Sequence, residues 1–253
     1  MSKTWNEERG IENVLPLPTL KKMLLGSACA GDVRYYAAML KAGEVVIDAT
    51  ECHLPLRYSH HRYVIDAPNG PVKITVPLVG STNAMPVMMR DVLISEHGNW
   101  RHLHWGALFS SYGKSPFFDF IADDLHRIIV EERQRRLLDL NMALHQLIVE
   151  FMDLPISTSV MSDDDEIAAL IAGGAIDLRR KIGGKRADTL PIADVPYYQM
   201  WSNRNGTFLP RLSILDLLMN EGREGIFTLL KMAKEPYLFS DVTLSKKEQK
   251  CGL

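Results

Sequence analysis

The segment from residue 100 to residue 118 is dense in side chains that transfer protons or hold anions. His104, Tyr112 and Lys114 follow one another at intervals of eight and two residues. An imidazole titrates near neutral pH and can act as a general acid or base, and a lysine supplies a point charge for phosphate or carboxylate. Arg62, earlier in the chain, adds a planar guanidinium that suits the same groups. We expect these four side chains to converge on one concave pocket near the carboxyl ends of the first strands.

The same residues also fit a structural alternative. A helix would direct Trp105, Leu108 and Phe109 into the core, His104 and Tyr112 would be buried hydrogen-bonding residues, and Lys114 would be solvated. This alternative explains the apolar positions but not His104, Tyr112 and Lys114. Polar groups of this kind are costly to bury without hydrogen-bond partners.

Six of the eight histidines lie between residues 53 and 104, which raises the question of a metal site. A zinc site needs three or four ligands on fixed elements. His102 and His104 would point about 200° apart on a helix, so they could not share one ion there. We therefore predict no metal site and expect a histidine that works as a general acid or base, or as a hydrogen-bonding group, in a cleft. No cofactor is indicated.

Several familiar catalytic motifs are excluded. Residues 26–32 have the glycine spacing of a phosphate loop, but Asp32 and Val33 stand where that loop needs Lys and Ser or Thr. The acidic runs at 123–124 and 163–166 lie where helices are expected to begin, and the helix dipole favours carboxylates there. The three cysteines have no C-x-x-C spacing, which excludes a cysteine-based zinc module.

Composition restricts the partners more than the activity. The 253 residues are 46% apolar, and 29 Lys and Arg face 31 Asp and Glu, so no nucleic-acid partner is expected from overall charge. No stretch reaches the roughly 18 apolar residues that a membrane span requires. We expect a cytoplasmic protein with no membrane span and with a small-molecule substrate.

The elements that must position these residues begin with a βαβ unit. The patterns predict a strand at 22–26, a helix at 34–41 and a second, parallel strand at 44–48. A hairpin at 62–65 and 72–78 and a short strand at 91–94 follow.

The second half of the sequence is predicted to be mostly helical. Helices are expected at 100–112, 123–152 and 212–220, with a further helix capped by Ser162 and a basic loop at 179–187. The fold class is α/β, with a mixed sheet, an N-terminal βαβ unit and a helix-rich C-terminal half. We predict one domain over residues 1–253, with an ordered core at about 20–237 and a mobile polar tail.

Several ordered blocks of the sequence resemble the WbqC-like protein family of bacteria. They cover about residues 20 to 220, and their order and spacing carry the resemblance. The blocks are Leu24 to Asp48 with Arg34-Tyr35-Tyr36, Ser59 to Arg62, Asn69-Gly70-Pro71, Ile74 to Pro77, His104 with Tyr112 and Lys114 to Phe118, and Leu212 to Leu218.

The sequence departs from the family pattern at two places. His60-His61 stands where the family usually has Arg-Asn, which implies a weaker and pH-dependent hold on an anionic ligand. The first loop has Ala28 to Gly31 where the family is usually rich in proline.

The resemblance implies a transferase, because some members are encoded among surface-polysaccharide biosynthesis genes and a glycine-transferase role has been suggested for them. The implied reaction is aminoacyl or acyl transfer to an activated, nucleotide-linked sugar. His104 would then be the general base with Tyr112 beside it, and Arg62, Lys114, His60 and Arg34 would bind the ligand.

Two alternatives remain open. One is a nucleotide-binding enzyme similar to the histidine-signature nucleotidyltransferases, although the first loop lacks their histidines. The other is a non-catalytic binding or assembly subunit.

Overall fold

The computed structural model describes residues 22–53, 60–80, 87–179, 181, 192–202 and 206–234. The expected polar tail and almost all of the expected basic loop lie outside these residues. The strands, in chain order, are β1 Met23–Gly26, β2 Glu44–Asp48, β3 Cys52–His53, β4 Arg62–Ile65, β5 Val72–Thr75, β6 Val87–Met88, β7 Ser157–Met161 and β8 Ile176–Asp177. The α-helices are α1 Val33–Ala42, α2 Trp100–Tyr112, α3 Ala122–His126, α4 Leu137–Phe151, α5 Asp164–Ala172, α6 Ile214–Glu221 and α7 Gly225–Ala233.

A four-stranded parallel sheet in the order β7-β2-β1-β8 forms the centre of the fold. The predicted βαβ unit is confirmed, with Met23 of β1 opposite Val45 of β2. Asp32 caps α1 by accepting a hydrogen bond from the Tyr35 amide, and Gly43 ends the helix at a φ of 72°. A residue without Cβ adopts that conformation at little cost.

Two separate two-stranded sheets are antiparallel. Strands β4 and β5 form the predicted hairpin, with Arg62 opposite Thr75, and β3 pairs with β6. The α/β class is confirmed. We expected parallel and antiparallel strands within one mixed sheet, and the structure instead has one parallel sheet and two antiparallel ones. The strand expected at 91–94 is reduced to single bridges, from Ile94 to Leu78 and from Leu93 to Arg136.

Helix α2 has the predicted bounds, but the single helix predicted over 123–152 is wrong. The chain forms α3, a π-helical turn at Arg127–Glu131, and then breaks before α4. Backbone bonds to the 92–94 segment replace helical ones at the break, because Ile94 N donates to Arg135 O and Leu137 N donates to Val92 O. Residues 123–152 contain no Gly or Pro that would have indicated the break.

Two helix starts differ slightly from expectation. The side chain of Asp163, rather than Ser162, caps α5 by accepting from the amides of Asp165 and Glu166. Helix α6 begins at Ile214, because the Ser213 side chain caps it by accepting from the Leu215 amide.

The sheet is covered on both faces. Met23, Leu25, Val45 and Ile47 join the large core, which also contains the C-terminal helices. Leu24 and Val46 point to the opposite face and pack with Ile167 of α5. No helix in the described part of the chain is long and apolar enough to cross a membrane.

Candidate functional site

The carboxyl ends of three parallel strands place polar residues at one edge of the sheet. Strand β1 ends at Gly26, β2 at Asp48 and β8 at Asp177. Ligands of open α/β sheets bind at this edge.

Asp48 organises the loop that follows β2. Its Oδ1 accepts hydrogen bonds from Thr50 N at 2.7 Å, Thr50 Oγ1 at 2.8 Å and Glu51 N at 3.2 Å. Its Oδ2 accepts from Arg179 Nη1 at 2.6 Å, and the Arg179 guanidinium also donates two hydrogen bonds to Asp177. The arginine is therefore neutralised by two carboxylates, and this network fixes the loop.

The loop carries Glu51 directly over the end of β1. A Cβ atom added at Gly26 would lie 1.9 Å from Glu51 Oε1, so any larger residue there would require the Glu51 carboxylate to move. The Tyr35 hydroxyl donates to the Gly26 carbonyl at 2.9 Å and holds the strand end from the other side.

Glu51 begins a chain of three polar side chains. Its Oε1 lies 3.0 Å from His60 Nε2, and both side chains are buried. His60 Nδ1 lies 3.3 Å from His53 Nδ1. The remaining ring nitrogen of His53, Nε2, is buried and has no hydrogen-bond partner among the described residues.

His61 and Arg62 complete what we call the histidine cluster: Glu51, His53, His60, His61 and Arg62. The His53 and His61 rings meet edge to face with centroids 5.1 Å apart. Burial, and then the neighbouring His60 and Arg62, lower the pKa of His53 to about 4 against an opposing effect of Glu51. Burial, His53 and Arg62 lower the pKa of His61 to about 3. Both imidazoles are therefore neutral at pH 7.

Asn141 of α4 ties the histidine cluster to the first loop of the sheet. Its Nδ2 donates to Ser27 Oγ at 2.7 Å and to the His60 carbonyl at 2.9 Å. Its Oδ1 is buried and accepts no hydrogen bond from a described residue. An amide oxygen and an imidazole nitrogen thus lie near the strand ends without a hydrogen-bond partner among the described residues.

The structure places only two of the six predicted site residues in this cluster, His60 and Arg62. His104 lies behind the hairpin, where its Nε2 forms a short hydrogen bond with the Tyr63 hydroxyl. Consecutive residues of a strand face opposite sides, so Tyr63 and Arg62 point away from each other. Burial and then Arg101 lower the pKa of His104 to about 3. The expected convergence of Arg62 with His104 is therefore not observed.

Tyr112 belongs to a separate buried network. Its hydroxyl donates to Asp216 Oδ1 at 2.7 Å and accepts from Asp66 N at 3.1 Å. Tyr197 donates to the other oxygen of Asp216 at 2.8 Å. Burial, followed by the charge of Asp216, raises the pKa of Tyr112 well above its usual value.

The last two predicted residues lie elsewhere. Lys114 is exposed just beyond α2. Arg34 is buried in α1 and donates to Asp32 Oδ2 at 3.1 Å. The catalytic and binding roles expected for His104, Tyr112, Lys114 and Arg34 stay predictions.

Sequence reasoning missed Glu51, His53 and Asn141 as site residues. The crowding of histidines between residues 53 and 104 was visible, but nothing in the spacing distinguished the three that meet. Glu51 could have been found from its position, because it follows the end of β2 by three residues and ligands bind at the carboxyl ends of parallel strands. No group of three His, Cys, Asp or Glu side chains in the described ranges has the arrangement of a metal site.

Comparison with known proteins identifies the family. No match to the chain was found among curated proteins or among solved structures. A model of the WbqC-like protein family matches residues 33–195, which is more than half of the chain and contains the whole histidine cluster. The chain therefore belongs to the WbqC-like protein family.

Proposed function

We propose that the chain is a transferase whose active site is the histidine cluster. The reaction is aminoacyl transfer, of glycine, or acyl transfer to an activated sugar used in surface-polysaccharide biosynthesis. The observation that carries the proposal is the chain Glu51–His60–His53, which ends in an unpaired ring nitrogen at the carboxyl edge of a parallel sheet. Because nucleotide-linked sugars are cytoplasmic metabolites, the proposal places the protein in the cytoplasm.

In this proposal His53 is the general base. When His60 carries its proton on Nε2, the nitrogen that lies 3.0 Å from Glu51 Oε1, its lone pair is on Nδ1 and accepts from His53 Nδ1–H. His53 Nε2 is then free to take a proton. As it does so, the Nδ1 proton passes to His60, and the positive charge ends beside the Glu51 carboxylate, which stabilises it.

This base would serve a nucleophilic attack. The acceptor amine or hydroxyl gives its proton to His53 and forms the new bond to the acyl carbonyl carbon. The bond from that carbon to the donor breaks, and its electron pair and the returning proton leave with the donor. Arg62 supplies the positive charge for a phosphate of the activated sugar. His61, being neutral, adds no charge there.

A second candidate function, nucleotide binding by a nucleotidyltransferase-like enzyme, has one observation in its favour. The first loop lacks histidines of its own, but Asn141 holds the His60 backbone next to Ser27 of that loop. The histidine cluster could therefore face a nucleotide seated on the loop. The third possibility, a non-catalytic binding or assembly subunit, needs the same surface but no base.

Thermal-shift screening of the full chain against UDP-sugars, ATP and amino acids tests the proposal. Stabilisation by a sugar nucleotide supports the transferase, stabilisation by ATP alone supports the second candidate, and no response to any of them contradicts both.

The variant His53→Gln separates catalysis from binding. The amide cannot accept the proton, so a sugar-nucleotide shift should persist while transfer falls by about 10²- to 10⁴-fold, the usual contribution of a general base. His97→Gln, which alters an exposed histidine outside the cluster, is the control and should leave both unchanged. Full transfer activity in His53→Gln would contradict the assignment of the base.

A further inference from the structure

The solvent face of α2 is unusual for an exposed helix because it carries no charged residue. Five residues on this face are exposed: His102, Leu103, Gly106, Phe109 and Ser110. Leu103 and Phe109 expose 72% and 58% of their surface. Exposed helix faces in monomers usually carry charges, and contiguous apolar patches mark contact surfaces.

Gly106 is at the centre of this face. A Cβ atom added there would meet nothing within 4 Å, so no described residue packs over it. Glycine inside a helix costs roughly 1 kcal/mol relative to alanine. A close approach by another backbone is a common reason for glycine in such a position.

The face is symmetric about Gly106 in a way that suits a two-fold axis. Leu103 and Phe109 are three residues before and after it, and His102 and Ser110 are four before and after it. On a helix these positions lie within about 60° of Gly106. If two copies of α2 cross antiparallel at Gly106, Leu103 of each faces Phe109 of the other. In an isologous contact each such pair occurs twice.

The charges at the two ends of α2 are complementary in the same arrangement. Arg133 and Arg135 are exposed and line one cavity with the start of α2, and Arg101 binds Glu96, the carboxylate in that cavity. The other end has exposed Asp119 and Asp123 together with Lys114. The ring of Phe118 packs against Phe109, with centroids 5.7 Å apart, which places Asp119 at that end. Antiparallel crossing brings the positive end of one helix to the negative end of the other, as the helix dipoles also favour.

We propose that the protein is a two-fold symmetric homodimer in which the α2 helices of two copies cross antiparallel at Gly106. Leu103 and Phe109 form its apolar centre. This interface is separate from the histidine cluster and does not depend on the proposed transferase activity.

Sedimentation equilibrium of the full chain gives the first test. The expected mass is twice the 28.6 kDa of the chain. Phe109→Glu should halve it without unfolding the chain, because the side chain is largely exposed, and circular dichroism checks the fold. Val79→Glu, at another exposed apolar residue, is the control and should remain dimeric. A monomeric parent protein, or a dimeric Phe109→Glu variant, would overturn the proposal.

A rescue variant tests the antiparallel geometry. The double variant Leu103→Lys with Phe109→Glu places a lysine of each copy opposite a glutamate of the other, so the dimer should return. A folded double variant that stays monomeric would contradict this pairing.

Cysteine crosslinking remains informative even if the glutamate variant does not fold. Gly106→Cys lies on the proposed axis and should crosslink to itself, beyond the background of the parent protein. Two copies of Ser110→Cys would be about 12 Å apart along the helices and should crosslink only when mixed with His102→Cys. Self-crosslinking of Ser110→Cys without that of Gly106→Cys would place the axis elsewhere and refute the arrangement.

Discussion

At the scale of single residues, the fold buries Asp216 between two tyrosine hydroxyls. Tyr112 and Tyr197 each donate to one of its oxygens, and Asn220 Nδ2 donates to its backbone carbonyl. Burial raises the pKa of Asp216 to about 7, although the two tyrosines act in the opposite direction. The protonated form is therefore favoured in the folded protein relative to the unfolded chain.

This pKa predicts how stability depends on pH. Between the unfolded value near 4 and about 7, the folded state binds one more proton at Asp216 than the unfolded state does. The contribution is complete below pH 4 and is lost as the pH rises through 7, with a slope of up to about 1.4 kcal/mol per pH unit. Urea unfolding from pH 4 to 8 should show this decline as a difference between two profiles: because the buried histidines contribute alike to both, the stability of the parent protein minus that of Asp216→Asn should fall as the pH rises. Parallel profiles would mean that Asp216 is ionised in the folded state.

At the scale of secondary-structure elements, the glycine at the end of β1 leaves room for the Glu51 carboxylate of the loop after β2. In Gly26→Ala the new Cβ would meet the Glu51 carboxylate, and we expect a loss of roughly 1–3 kcal/mol in the free energy of unfolding. In a Glu51→Ala background the same substitution has room and should cost much less. A double-mutant cycle by chemical denaturation measures the difference, and additive effects would show that the two residues do not meet.

The break between α3 and α4 holds a non-glycine residue in the left-handed region. Arg133 has a φ of 48°. Arg133→Gly should therefore stabilise the protein by about 1 kcal/mol, since the Cβ penalty is removed. The neighbouring Arg136 has a φ of −97°, so Arg136→Gly is a matched control that should destabilise slightly. The melting temperatures of the two variants should shift in opposite directions. A lower melting temperature for Arg133→Gly would show that the backbone at Arg133 is not strained.

These elements also show what the sequence can and cannot predict. The βαβ unit, the hairpin and α2 were predicted because periodicity and turn residues act locally. The break after Glu132 was not, since backbone bonds to residues 92–94 decide it. The histidine cluster has the same cause: Glu51 and His60 are nine residues apart and meet Asn141 only through the tertiary fold. His104 and Tyr112 carried a chemical pattern, but Tyr63 and Asp216 are the partners that the fold gives them.

At the scale of the whole molecule, contacts between distant segments favour the single domain that the sequence predicts. Strand β7 pairs along the full length of β2, from Ser157 opposite Glu44 to Met161 opposite Asp48. Helix α1 contacts α7 near the other end of the chain. One hydrophobic core contains residues from Met23 to Met232. A cut near residue 90 or 155 would separate partners on both sides of it.

We therefore expect one cooperative unfolding transition. The ellipticity of the helices and the fluorescence of the tryptophans should change together in urea, because neither half keeps a covered sheet or a closed core when the other unfolds. Limited proteolysis should give the same answer, with the first cleavage in the basic stretch at residues 179–187 and no stable half split near residue 90 or 155. Two separated transitions, or a protease-resistant half, would show that the strands and the C-terminal helices fold independently. In that case the Asp48–Arg179 bond would be an interdomain contact, and loss of the C-terminal part would release the loop that positions Glu51.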